Sequence, residues 1–175
     1  MNTVRFAQNK DIPAILNLLV QVDMVHHNGR PDIFKGPTTK YTREELINMI
    51  NEDSEQNSNN GTSYGESKNT IFVITDSDES VLGHAFCIDK SVKDDNLLED
   101  IKTLYIDDIC IDEKMRNQSL GEFLYKYIID YAKQHSYYNV TLNVWSCNEG
   151  AMKFYEKLGM KPQKVGMEKI LDYPF

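Results

Sequence analysis

The segment "IDDICIDEKMRNQSLGEFLYKYIIDYA", Ile106 to Ala132, constrains the fold more than any other part of the chain. It runs from an apolar, strand-like stretch through a short polar turn into a helix whose Leu120, Phe123, Leu124, Tyr127, Ile128 and Tyr131 share one face. A strand that turns directly into an amphipathic helix belongs to a mixed α/β domain, in which the helix covers the sheet. The turn itself, Arg116, Asn117, Gln118, Ser119 and Gly121, is richer in polar and small residues than a plain connection requires. The unpaired N–H groups at the helix start point back toward it, and the helix dipole adds about half a positive charge there. Arg116 adds a full charge. Such a turn suits a pyrophosphate, although small polar residues also serve as plain helix caps. It is not a P-loop, because no Gly-Lys-Ser/Thr follows.

The rest of the chain alternates in the same way. "TVRFA" predicts a short strand. "NKDIPAILNLLVQVDMVHH" predicts a helix with Asn9 or Asp11 as its cap, Pro13 in its first turn and Ile12, Ile15, Leu16, Leu19 and Val22 on one face. "YTREELINMINE" predicts a second helix, with Thr42 and Glu45 spaced as a capping box. The polar Gly-, Ser- and Asn-rich stretch 53–69 reads as a flexible loop inside one domain spanning 1–175. "NTIFVITD" and "SVLGHAFCIDK" predict a hairpin through "DSDES", and "IKTLYIDDICID" and "YNVTLNVW" predict further strands. "SCNEGAMKFYEKLG" predicts a helix with Ser146 and Glu149 at capping-box spacing and Gly159 as its stop, and "MKPQKVGMEKILDYPF" predicts one or two closing strands.

Composition narrows the function classes. A net charge of −8 argues against a nucleic-acid surface and leaves room for a cationic acceptor. Cys87, Cys110 and Cys147 form no CxxC pair, and the four histidines His26, His27, His84 and His135 have no metal-ligand spacing, so neither a disulfide framework nor a metal site is expected. No segment has the apolar length of a membrane span, and "MNTVRFAQNKDIP" lacks the apolar core of a signal peptide. The expectation is a cytoplasmic protein without membrane or nucleic-acid partners.

Two segments resemble a known family. "CIDEKMRNQSLGEFL" resembles the acyl-CoA-binding segment of GNAT-type N-acetyltransferases, with Arg116, Ser119 and Gly121 at the motif positions and Ser119 where the family usually has a glycine. "NVWSCNEGAMKFYEKLGM", about thirty residues later, is similar to the family's second signature, an Asn opening a helix that ends in Phe-Tyr-Glu-Lys-Leu-Gly. The resemblance implies a single GNAT-like α/β domain with a mixed, mostly antiparallel sheet of six to seven strands flanked by helices, and a splayed strand pair that holds the acyl-CoA. It implies acetyl-CoA as donor substrate, no metal, and acetyl transfer to a primary amine on a small molecule or peptide. A homodimer is compatible with it, since the family's acceptor sites are often completed by a neighbouring subunit.

Residue by residue, the resemblance places the diphosphate on Arg116, Asn117, Gln118, Ser119, Leu120, Gly121 and Glu122, held mainly by backbone N–H groups. The pantetheine arm pairs with the backbone of Ile109, Cys110 and Ile111 as a peptide pairs with a sheet edge. Tyr155 is the expected general acid, because a phenol can donate to a departing thiolate. Asn148, seven residues earlier, shares its helical face and is expected beside the cofactor, as a helix cap, or both. Asp107 and Asp108 on the cofactor strand are the candidate bases, each otherwise a solvated charge; strict alternation along the strand sends them to opposite faces, so that at most one meets the acceptor. Asp23, His26 and His27 are weaker candidates, and Cys110 reads as a buried thiol. The alternative from another class is an acyl-CoA-binding regulatory module without turnover.

Overall fold

A computed structural model of the protein describes residues 1–58 and 69–171. β1 (Thr3–Phe6) leads through a short 3-10 turn into α1 (Ile12–Gly29) and α2 (Arg43–Ser58). Next come β2 (Asn69–Thr75), β3 (Val81–Asp89), β4 (Thr103–Ile111), α3 (Leu120–Gln134), β5 (Asn139–Leu142) and α4 (Glu149–Lys157). The strands form one mixed sheet in the order β1-β2-β3-β4-β5, antiparallel except for the parallel β4–β5 pair. A parallel pair requires a crossover, and α3 supplies it.

Both faces of the sheet are covered, which explains why β2 reads as a continuous apolar run. Phe72 and Ile74 pack with Ala85, Leu104 and Ile106 under Leu124 and Ile128 of α3. Ile71 and Val73, on the alternate face, pack with Phe86 under Ile12, Ile15 and Leu19 of α1 and Leu46 of α2. The Thr42–Glu45 capping box is formed: Glu45 N donates to Thr42 Oγ1 at 3.2 Å, and Thr42 N donates to Glu45 Oε2 at 2.7 Å.

Several expectations are corrected. The sheet has five strands among the described residues, against the six to seven expected. The closing segment forms no strand through Leu171, and Val165, Met167, Ile170 and Leu171 are exposed. Their apolar positions do not keep a period of two, and Pro162 and Gly166 both disfavour a ladder. The expected loop over 53–69 loses both edges, because α2 continues to Ser58 and β2 begins at Asn69; the remainder, 59–68, lies outside the described residues. Asp53 is buried, with its Oδ1 accepting from Thr70 Oγ1. Among the described residues no helix is long and apolar enough to cross a membrane.

Asp11 does not cap α1 with its side chain. Its carboxylate accepts from both Arg5 Nη1 and Nη2, at 2.7 and 3.0 Å, and from Gln8 N at 2.8 Å. Burial opposes the charge, but the Arg5 and Gln8 bonds outweigh it and hold the Asp11 carboxyl below its ordinary value. The contribution of this pair is therefore complete above the unfolded carboxylate pKa and is lost as pH falls through the lowered folded value. Arg5→Met strands a nearly buried carboxylate, and urea denaturation is expected to show a loss of about 3 kcal/mol. An unchanged midpoint and slope would show that the pair contributes nothing net.

Candidate active site

β4 and β5 pair only from Thr103 with Asn139 to Ile106 with Leu142. Beyond that point β4 runs on to Ile111 without β5 beside it, and the strands part. The opening is a cleft of about 100 Å³ whose walls are β4, the segment after β5, α4 and the Val22–His26 side of α1.

An irregularity in β4 fixes which side chains reach it. Across β3, Phe86 pairs with Asp108 but Cys87 pairs with Ile106, so Asp107 is an extra residue, a β-bulge. Leu104 and Ile106 before it, and Ile109 and Ile111 after it, all pack on the α3 side of the sheet. Asp107 and Asp108 both turn the other way. Asp107 meets Tyr41, which stacks on Phe86 of the α1-side core, and Asp108 meets His84, whose ring also packs on Phe86. The expected separation onto opposite faces is thus overturned, and both carboxylates line the cleft.

The two carboxylates sit in different surroundings. Asp107 Oδ2 accepts from Tyr41 Oη at 2.6 Å and from Lys40 Nζ at 2.5 Å, so its charge is matched by a cation. Burial and this bond push the Tyr41 phenol up, which keeps it a donor. Asp108 has no cation on it among the described residues. Its Oδ1 lies 2.7 Å from Nε2 of His84, a fully buried ring, and its Oδ2 carries no hydrogen bond among the described residues.

α4 brings the opposite wall. Asn148 is its N-cap, with Oδ1 accepting from Ala151 N at 3.1 Å, so the cap expected at Ser146 lies two residues later. Asn148 also lines the cleft, and the capping bond leaves its amide N–H groups for other partners. Tyr155, two turns on, faces the same space and is only 9% exposed. Burial first, then the charge of Asp108 and the neighbouring Tyr125, push its phenol well above the ordinary tyrosine value. Tyr155 therefore holds its proton at neutral pH.

The turn between β4 and α3 is built for backbone, not side-chain, recognition. Ser119 is the N-cap residue in the left-handed region at φ 59°, ψ 10°, with no capping bond from its hydroxyl. The first helical bond is Phe123 N to Ser119 O, which leaves the N–H groups of Leu120, Gly121 and Glu122 without helical acceptors. Arg116, Asn117, Gln118, Ser119 and Glu122 are exposed around them. Leu120 is buried in the core and offers only backbone to a ligand, while Ile109 and Ile111 are partly buried against that core. A Cβ on Gly121 would lie 3.3 Å from the Phe154 ring, which explains the glycine by close packing on α4.

The remaining candidates separate cleanly. Asp23 accepts from Thr38 N at 3.1 Å, and His27 Nδ1 bonds Phe34 O at 2.8 Å, so both tie down the connection after α1. Only His26 of that group reaches the cleft, where it stacks on Phe34, and Phe34 in turn meets Trp145 edge-on. Burial pushes the Cys110 thiol up to about 12, which leaves it no nucleophile at neutral pH. Sequence reasoning missed His84, Lys40, Tyr41 and Trp145. His84 left a signal, a polar ring inside the otherwise apolar "VLGHAFCI". Among the described residues no three His, Cys, Asp or Glu side chains are grouped to hold a metal.

The sequence model of the Acetyltransferase (GNAT) family matches residues 35–160. The chain is 25% identical over 138 residues to the "Probable N-acetyltransferase camello" of Xenopus laevis, covering 79% of this chain and 55% of that protein. It is 31% identical over 71 residues to the glucosamine 6-phosphate N-acetyltransferase of Arabidopsis thaliana, covering 41% of this chain and 46% of that protein. It thus spans about half the length of the curated relatives it matches. A crystal structure of a mutant BH1408 protein from Bacillus halodurans superposes with a TM-score of 0.83 at 27% identity, over 97% of this chain and 99% of that one.

Proposed function

Because the chain belongs to the GNAT acetyltransferase family, we propose that it moves the acetyl group of acetyl-CoA directly to a primary amine, with Asp108 as base and Tyr155 as acid. The observation that carries this reading is the placement of a carboxylate without a cation and a firmly protonated phenol on facing walls of one cleft, where β4 and β5 part.

The donor fits the residues present. The open N–H groups of Leu120, Gly121 and Glu122, with Arg116 beside them, suit a diphosphate. The edge of β4 over Ile109, Cys110 and Ile111, which β5 leaves unpaired, suits an extended pantetheine arm, and Asn148 lines the same cleft with its amide N–H groups. Acetyl-CoA supplies an acyl carbon on a thiolate leaving group. The chain supplies the proton steps. Asp108 removes one proton from the incoming ammonium, and the neutral nitrogen then attacks the acyl carbon. Backbone N–H groups of β4 stabilise the oxyanion. As the C–S bond breaks, Tyr155 protonates the sulfur and is restored by the second proton leaving nitrogen. Proton capture by Asp108 also removes one of the charges that raises the Tyr155 phenol, so the acid strengthens when it is needed. Asp107, tied to Lys40 and Tyr41, shapes the acceptor wall.

The test is free-thiol release from acetyl-CoA over a panel of amines: peptide N-termini, lysine, polyamines, aminoglycosides and glucosamine 6-phosphate. CoA binding without thiol release on any amine would favour the regulatory module. The donor turn has its own test. Ser119 is exposed and its hydroxyl makes no capping bond, so Ser119→Asp removes no contact but adds charge where the diphosphate would lie, and CoA affinity is expected to fall about tenfold or more with the fold intact. Ser119→Gly relieves a left-handed serine, a cost on the order of 1 kcal/mol, and is expected to leave CoA affinity equal or better. Unchanged titration of Ser119→Asp with CoA would remove this turn from the site.

A further inference from the structure

His84 sits in the middle of β3, opposite Cys110 of β4, and is fully buried. An aliphatic side chain there would avoid desolvating two ring nitrogens. Among the described residues Nε2 has one partner, Asp108 Oδ1 at 2.7 Å, and buried Nδ1 has none. These facts decide where the proton sits. A proton on Nδ1 would leave a buried N–H donor unpaired, the rarer and costlier defect, whereas a bare lone pair there is tolerated. Nε2–H is therefore the donor to Asp108, with Nδ1 bare. From this we infer that His84 is a positioning residue for Asp108, pinning Oδ1 against the core so that Oδ2 faces the cleft as proton acceptor. The inference rests on the reading of Asp108 as base. When an N–H bond of the ammonium breaks, the O–H bond forms at Oδ2, and this proton later leaves to water through the cleft. It does not pass to the ring, because the contact with Asp108 is made through Nε2, which already carries the donated proton, and Nδ1 has no donor beside it among the described residues.

Two substitutions separate positioning from packing. His84→Phe fills the space without a donor, and His84→Gln keeps an N–H donor near the same reach. With an amine that the parent acetylates, His84→Phe is expected to lower kcat about tenfold or more, because a misdirected base costs that much, while KM for acetyl-CoA stays within about twofold. His84→Gln should recover most of the loss. In an Asp108→Asn background, His84→Phe should cost nothing further, since both changes act through one carboxylate. Equal slowing by Phe and Gln, or additive losses with Asp108→Asn, would overturn the inference. A readout without turnover is 15N NMR of the ring. The expected spectrum has Nε2 protonated and Nδ1 bare, with the Nε2–H resonance moved by Asp108→Asn. A proton on Nδ1, or a cationic ring at neutral pH, overturns the inference whether or not an acceptor is found. Absence of acetyl transfer in the parent counts against the activity instead, and the NMR result then decides the role of His84 alone.

Discussion

Tyr155→Phe is expected to turn over about 10²-fold more slowly than the parent while binding CoA with nearly the same affinity. The substitution keeps the ring, and the ring is what α4 packs: Tyr155 belongs to the α3-side core and lies against Phe154 and Tyr125. Only the donor is lost. Burial and the charge of Asp108 hold that phenol above its ordinary value, so in the resting protein it is a poor acid but a secure reservoir of one proton. Water in the cleft would substitute in part, which limits the loss. Turnover and CoA affinity must be measured on the same preparation, because loss of the hydroxyl could also loosen the donor. An equal fall in both would assign Tyr155 to positioning. A Tyr155→Phe protein as fast as the parent, with chemistry shown to limit the rate, would end its assignment as acid.

What was legible in the sequence was what local physics decides. The Thr42–Glu45 box, the apolar stripe of α3 and the helix carrying Tyr155 all depend on residues three or four apart; the box formed as spaced, the stripe formed through Leu120, Leu124, Ile128 and Tyr131 with Tyr125 buried in place of the exposed Phe123, and the helix formed with its cap at Asn148 instead of Ser146. The polar turn before α3 was legible for the same reason. The left-handed Ser119 was not, because whether a small residue is strained depends on how the turn closes between β4 and α3.

The contents of the cleft were less legible because they arise from strand pairing and distant contacts. Nothing within "YIDDICI" marks Asp107 as a bulge; the extra residue exists only relative to Phe86 and Cys87 on β3. One bulge moved two carboxylates onto one side and changed the inventory of the site. Lys40 and Tyr41 reach Asp107 from more than sixty residues away, and His84 reaches Asp108 across two strands. The closing strands failed for the opposite reason: "PQKVGMEKIL" has strand-forming residues but no sustained period, and no ladder formed on it through Leu171.

Asp108→Asn is the sharper test of the proton path, because its outcome depends on pH in a way that packing damage does not. The asparagine keeps a carbonyl oxygen for His84 Nε2–H, so the buried contact and the fold are expected to survive. The variant cannot take a proton from an ammonium of pKa about 10 and must wait for the small fraction of amine that is already neutral. At neutral pH its kcat/KM is expected to be about 10²-fold below the parent. Between pH 7 and 9 that deficit should shrink by about tenfold per unit, since the neutral amine rises tenfold per unit below its pKa while the parent, which deprotonates the bound ammonium itself, changes little. Tyr155 does not obscure this window: its phenol is held above the ordinary value and stays protonated through it. A deficit that is the same at every pH would mean that the substituted amide disturbs geometry and that Asp108 is not the base. No deficit at all, with chemistry limiting, would move the base to another group on the cleft, such as His26, which lines it and stacks on Phe34.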